Sequence, residues 1–402
     1  MNIALLSYEY PLETGFGGIG TYTWYQARAL AKLGHKVYVL AGSLNSTQIR
    51  EEEHDGVTVY RYRSDGLLMR CFQLFGNLDY WWTKNRLENA LSMYKGVRIL
   101  LQRHNFDIIE MPECGGEGFL INNLIGARTI IKLHSPAKLI MPYYSVPKTD
   151  ITLCSLIEHL GMRKANAFSS CSRFLAEQAR NKLAINKPIR IIPNGIDIEL
   201  LDNCEKTDIY RKFGIPRDRL TILFSGRMEF RKGIHLCKEI VPPILERYDV
   251  NFIFAGQDLF NYMSEILMPY LKGKKLKGSV YYLGKLNQSE VYSCLSEADI
   301  FLIPSLWENF PYSCLEAMAA GCAIVGSDHG GMPELIKDCQ NGLLARNSDP
   351  CAYIESLQRL IEDRNFRESL GSAARKTIEN SYTDTHIAKM SIQFYEECIN
   401  QC

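Results

Sequence analysis

The feature that most restricts the fold is an alternation of short apolar runs with longer helical stretches, which starts at residue 2 and starts again after residue 197. In the first half the runs are NIALLS, KVYVLAG, VTVYRY, DIIE (Asp107–Glu110), RTIIKLH (Arg128–His134), AFSSCS (Ala167–Ser172) and IRIIP (Ile189–Pro193). Runs this short and this apolar read as strands covered on both faces. Helical stretches between them make the strands parallel, because a parallel pair needs a long crossover. The turn cluster IPNGID (Ile192–Asp197) interrupts the pattern, and LTILFSG, NFIFAG, SVYYLG, DIFLIP, CAIVGS and GLLA then repeat it. The prediction is an α/β chain of two doubly wound, Rossmann-like domains, 1–195 and 196–379, with a polar helical tail at 380–402. The length of 402 residues is too great for one ordinary core and agrees with that division.

Composition excludes several function classes. An apolar content of 46% with 23% charged residues describes a globular chain. The net charge of +1 argues against nucleic acid as the main partner. No apolar run approaches the roughly 18–20 residues needed to span a bilayer. The opening MNIALLSYEYP lacks a basic leader and reads as the first strand. Thirteen cysteines without a C-x-x-C pair fit a reducing compartment, so a cytoplasmic protein is expected. No D-x-D occurs, so the usual two-carboxylate handle for a divalent cation is missing and no metal or cofactor is expected.

Open parallel sheets bind ligands at the carboxyl ends of their strands. Gly17, Gly18, Glu110, His134, Arg227 and Glu308 all fall at such ends. Two domains presenting those ends to each other would form a cleft, the favoured place for a ligand. Gly15, Gly17 and Gly20 also satisfy the dinucleotide pattern G-x-G-x-x-G. Two facts count against a dinucleotide: about seven residues separate the strand from the first glycine, and the second strand ends in Ala41 and Gly42 with no acid for a ribose. The preferred reading is that Gly17 and Gly18 let backbone amides approach phosphate or sugar hydroxyls.

Phosphate chemistry is concentrated in the second half. SGRMEFRKG (Ser225–Gly233) places Arg227 just past a strand and Lys232 five residues later. Such a pair can neutralise a diphosphate without a metal. SLWENFPYSCLEAMAAGCAIVGSDHGGMPE (Ser305–Glu334) follows another strand and sets Glu308 and Glu316 on either side of a predicted helix start at Pro311. The amides and dipole of that start suit a phosphate. Glu316 lies on the order of 6–9 Å along the axis, the reach of a ribose 2′- and 3′-OH. Glu308 would face the group on the other side of the phosphates.

Together, E-x7-E within WENFPYSCLEAMAAG, GRMEFRKG, IPNGID, the GGIG loop and HGGMPE resemble the family 4 retaining glycosyltransferases of GT-B fold, over nearly the full length. The resemblance implies transfer from a UDP-, GDP- or ADP-sugar to a carbohydrate or lipid-linked acceptor. It implies that Arg227 and Lys232 bind the donor diphosphate, that Glu308 stands next to the donor sugar, and that Glu316 binds the ribose. It implies further that the backbone from Phe310 through Pro311, Tyr312 and Ser313 to Leu315 wraps sugar and phosphates, that Gly17 and Gly18 line the phosphate and acceptor region, and that His134 stands at the active-site edge. It also gives the tail a place, as a final helix returning to the N-terminal domain. Many members carry Gly where this chain has Pro311, which offers no N–H, so the Tyr312 and Ser313 amides must carry that contact.

The acceptor is less defined. EMPECGGEG (Glu110–Gly118) is an acidic glycine loop, with Glu110, Glu113 and Glu117 available for sugar hydroxyls or for a structural turn. Leu67–Arg86 mixes aromatic and basic residues. Packing of a helix pair is its preferred reading, and peripheral contact with the inner face of a membrane or a lipid-linked acceptor is the other. The rival functions are a sugar-nucleotide epimerase, a phosphorylase-like enzyme and a silent sugar-nucleotide-binding subunit.

Overall fold

A computed structural model describes residues 1–15, 17–44, 48–63, 66 and 80–400. The chain divides into two compact units, Met1–Gly195 with Asp384–Cys402, and Ile196–Thr383.

The first unit is built on eight strands: β1 (Asn2–Ser7), β2 (Lys36–Gly42), β3 (Arg50–His54), β4 (Val57–Tyr62), β5 (Ile108–Pro112), β6 (Thr129–Leu133), β7 (Ala167–Ser170) and β8 (Ile189–Ile191). Their order is β3-β4-β2-β1-β5-β6-β7-β8. All pairs are parallel except β3 with β4. β3 was not anticipated: its sequence, REEEH, has no apolar alternation and lies largely exposed on the sheet edge. Charged residues there discourage pairing with another chain. From β1 the sheet grows one way through β2 and the other way through β5. The switch point therefore lies between the ends of β1 and β5, where the glycine loop and the Glu110–Gly118 loop begin.

The helix Asp384–Asn400 packs on the helix Gly18–Lys32 of the same unit and buries Ile387, Ala388 and Tyr395. Tyr395 Oη donates to Glu110 Oε2 at 2.8 Å. Residues 67–79 of the aromatic and basic stretch lie outside the described residues. Its described end starts the helix Trp81–Arg103, which packs on Lys148–Met162. Asp150 accepts from the Trp82 and Thr83 amides at 3.1 and 2.9 Å, and buried Arg86 pairs with Glu158 at 2.9 Å. Among the described residues no helix is long and apolar enough to cross a membrane.

The second unit holds β9 (Thr221–Ser225), β10 (Asn251–Ala255), β11 (Ser279–Tyr282), β12 (Ile300–Ile303), β13 (Ala323–Ser327) and β14 (Leu343–Ala345), all parallel, in the order β11-β10-β9-β12-β13-β14. The six apolar runs of the second half are these six strands. The switch point falls between β9 and β12, so the Arg227–Lys232 loop and the Glu308 loop leave from adjacent strands.

Candidate active site

The second unit assembles its charged residues at that switch point. After β9 the chain passes through Arg227 and Met228 into a single tight turn, Phe230–Lys232, and stops at Gly233. Gly233 has φ +78°, and a Cβ there would meet Pro304 O at 2.0 Å. Only glycine allows the turn to lie against the end of β12. The Leu306 amide donates to Arg231 O at 2.8 Å and ties the two loops together.

That contact brings Lys232 Nζ to 2.5 Å from Glu308 Oε1, with Arg231 Nη1 at 3.4 Å from the same oxygen. Burial acts to raise the Glu308 pKa, but Lys232 and Arg231 outweigh it and hold the carboxyl below its usual range. Burial lowers the Lys232 pKa against the pull of Glu308. Arg231 also donates to Trp307 O at 3.0 Å and to Glu229 Oε1 at 2.8 Å. The sequence reading passed over Arg231 and Glu229, although both lie within GRMEFRKG. Arg227 is half exposed, with its guanidinium 3.3 Å from Glu229. HGGMPE buttresses Glu308 from the other side: the Gly331 amide donates to Glu308 O at 2.8 Å, and a Cβ on Gly330 would stand 2.3 Å from that oxygen.

The helix that follows is Tyr312–Ala319, with Pro311 as its N-cap and not its first helical residue. Its side chain caps nothing, and no acid occupies the first turn. The first intrahelical bonds are donated by Cys314 and Leu315 to Pro311 O. The Leu315 amide is used inside the helix and its side chain is fully buried. Phe310 and Tyr312 point their side chains into the core, which leaves backbone as their means of contact. Ser313 and Glu316 are the partly exposed residues of this helix. Ser313 and Glu316 are one turn apart, about 4.5 Å along the axis. Burial pushes the Glu316 carboxyl up to about 7, with only a 3.5 Å contact from Gln288 opposing it.

In the first unit Gly17 is the N-cap of Gly18–Lys32, again with no side-chain cap. A Cβ on Gly17 would stand 2.2 Å from Glu9 Oε2, while one on Gly18 meets open space. His134 directly follows β6 in a buried position, its ring edge-on to Tyr22 with centroids 4.8 Å apart. Burial and then Lys132 hold its pKa well below the usual value, so the imidazole is neutral.

The acidic loop departs from the acceptor reading. Glu110, Glu113 and Glu117 are each no more than 3% exposed. Glu110 accepts from Tyr22 Oη at 2.7 Å as well as from Tyr395, with buried Lys132 nearby. Burial raises the Glu110 pKa and lowers that of Lys132. Glu113 accepts from the His134 and Ser135 amides at 2.9 and 2.6 Å and braces the histidine. Burial pushes the Glu117 carboxyl up to about 8. These partners agree with the structural-turn reading for Glu110 and Glu113, whereas Glu117 Oε2 is buried with no hydrogen-bond partner among the described residues.

Residues 205–377 match the family described as Glycosyl transferases group 1, and residues 16–200 match Glycosyltransferase Family 4. The chain is a family 4 glycosyltransferase. Over 417 residues this glycosyltransferase is 28% identical to an uncharacterised glycosyltransferase of Methanocaldococcus jannaschii, covering 98% of both chains. Its fold is similar to that of sucrose-phosphate synthase from Thermosynechococcus elongatus, with a TM-score of 0.78, 19% identity and 100% of each chain covered. It is also similar to Anabaena HepE, solved in complex with UDP-glucose, with a TM-score of 0.70, 17% identity and coverage of 99% and 100%. The fold is GT-B, with two Rossmann-like domains.

Proposed function

We propose that this glycosyltransferase moves a sugar from a nucleoside diphosphate to an acceptor hydroxyl with retention of anomeric configuration and without a metal. The observation that carries the reading is the order of groups along one edge of the second unit. Glu308 with its two cations comes first, then the start of Tyr312–Ala319, then Glu316 one turn along. A sugar, a diphosphate and a ribose follow each other in the same order. Arg227, Lys232 and the helix start would balance the charge of the leaving diphosphate.

Retention by double displacement needs a carboxylate nucleophile. Glu308 is the nearest acid to the expected anomeric carbon, and it is bound to Lys232 and Arg231, which blunts it as a nucleophile. Front-face substitution is therefore favoured. The acceptor oxygen bonds to the anomeric carbon on the face from which the diphosphate leaves, the carbon–oxygen bond to phosphate breaks, and a phosphate oxygen takes the acceptor's proton. The protein contributes position and charge. Neutral His134 is suited to hydrogen bonding with a sugar hydroxyl and not to supplying positive charge.

The donor is a UDP-, GDP- or ADP-sugar, and the acceptor a glycan, a lipid-linked sugar or a small molecule. Eleven described cysteines are free, seven of them buried, which supports a cytoplasmic setting. The test is a thermal-shift screen with UDP, GDP, ADP and their sugars, followed by NMR of the product anomer with and without EDTA. One base should raise the melting temperature by mass action. An inverted product, or turnover abolished by EDTA and restored by a divalent cation, would refute the mechanism.

A further inference from the structure

The loop after β9 carries three cations, and they differ in burial. The Arg227 side chain is 52% exposed, that of Lys232 17% and that of Arg231 9%. Arg231 turns away from solvent and across to the loop after β12. Its Nη1 donates to Trp307 O at 3.0 Å and stands 3.4 Å from Glu308 Oε1, and its Nη2 donates to Glu229 Oε1 at 2.8 Å. The Leu306 amide donates to Arg231 O at 2.8 Å, so backbone and side chain are both tied to that loop. Glu229 is buried, and the same Oε1 lies 3.3 Å from Arg227 Nη2.

A buried ion pair between Arg231 and Glu229 would by itself satisfy one end of the guanidinium. It does not account for the other end, which crosses to Trp307 and Glu308. Charge balance does not account for it either. Glu229 cancels Arg231, so removing both leaves the net charge around Glu308 as it was. What the pair adds is a fixed point. Lys232 is the opposite case, a point charge on a flexible stem that shares Glu308 Oε1 with Arg231. On the donor reading above, Lys232 has two anions to serve, the Glu308 carboxylate and the leaving diphosphate. Arg231, held at Glu229 and at Trp307 O, stays on Glu308 Oε1 when Lys232 turns to phosphate.

We infer that Arg231 is a positioning residue for the donor sugar: anchored by Glu229 and Trp307 O, it fixes the Glu308 carboxylate while Lys232 engages the diphosphate. The inference rests on the donor sugar lying at Glu308, as proposed above. Arg231 acts through Glu308 and touches neither sugar nor phosphate. Its loss therefore weakens the hold on the sugar and not the hold on the nucleotide.

The test is a double-mutant cycle read by calorimetric titration of the full chain, which needs no acceptor. The probes are UDP against UDP-glucose and UDP-N-acetylglucosamine, GDP against GDP-mannose, and ADP against ADP-glucose. The set that binds is titrated into the parent, Arg231→Gln, Glu308→Ala and the combined variant. Arg231→Gln is expected to weaken the sugar nucleotide about tenfold and to leave the nucleoside diphosphate within about twofold of the parent. In the Glu308→Ala background the same change should alter neither. If Arg231→Gln does not fold, Glu229→Gln/Arg231→Gln, which removes the buried acid together with its cation, takes its place in the cycle. Equal weakening of nucleotide and sugar nucleotide overturns the inference, and so does an effect of the same size with and without the Glu308 side chain. If Glu308→Ala weakens the sugar nucleotide and Arg231→Gln does not, the inference fails alone. If Glu308→Ala binds it as tightly as the parent, or if no probe binds, the donor reading fails first and takes the inference with it.

Discussion

Lys232 Nζ and Glu308 Oε1 stand 2.5 Å apart in a largely buried pocket. They come from loops after β9 and β12, so the distance depends on the strand order more than on either loop alone. The expected result of Lys232→Ala or Glu308→Ala is a fall in turnover of about 100-fold or more, with the circular dichroism spectrum unchanged. Single-turnover kinetics at saturating donor checks it. Near-normal rates in either variant would remove that residue from the scheme.

Glu316 should make nucleotide affinity depend on pH. Its pKa is raised to about 7, so above that pH it is a carboxylate able to accept two ribose hydroxyls. Calorimetric titration with the preferred nucleoside diphosphate should show affinity falling as pH drops from 8 to 6, and the slope should vanish in Glu316→Gln. The stability linkage follows from the raised value. The group's contribution is fully present below the unfolded carboxyl pKa and is lost as pH rises through about 7. Glu316→Gln should therefore melt higher than the parent at pH 8 in the absence of nucleotide.

Gly233 and Gly321 separate strain from collision. Both have positive φ, +78° and +82°, but a Cβ at Gly233 strikes Pro304 O while one at Gly321 meets nothing. Gly321→Ala should cost about 1–2 kcal/mol of backbone strain. Gly233→Ala should cost more and also lower turnover, because it unseats the turn that holds Lys232. Denaturant melts and initial rates on both variants decide this.

Tyr395→Phe removes one of the two phenol donors to Glu110. The expected loss is about 1–3 kcal/mol, since a buried carboxylate oxygen is left without its partner. A thermal melt should show a drop of several degrees. A melting temperature equal to the parent would mean that Glu110 finds another donor.

The residues that could be read from the sequence and those that could not differ in where their signal lies. The parallel strands are visible because burial on both faces demands apolar runs such as IFLI and NFIFA. REEEH carries no such demand, because its strand lies at the sheet edge and is held by pairing with β4 and by ion pairs of Arg50 with Glu13 and Glu51 with Arg103. At the site, Lys232, Glu308 and Glu316 are legible through fixed spacing to glycine and to a helix start. Glu110 is not, because what decides its role is Tyr395, 285 positions away. Arg231 stands beside a lysine of the same charge, and its role shows only in space, where it reaches Leu306, Trp307 and Glu308 of the neighbouring loop.

The second unit is an insertion in the first, entered at Ile196 and left at Thr383, where those two residues form a single parallel bridge. The order of synthesis is therefore not the order of completion. When residues 1–195 have left the ribosome, Glu110 is already committed to the interior of their sheet, but Tyr395 has not been made. The unit that emerges first must wait through the whole of its neighbour, with Glu110 held by Tyr22 and not yet by Tyr395, until the last helix arrives.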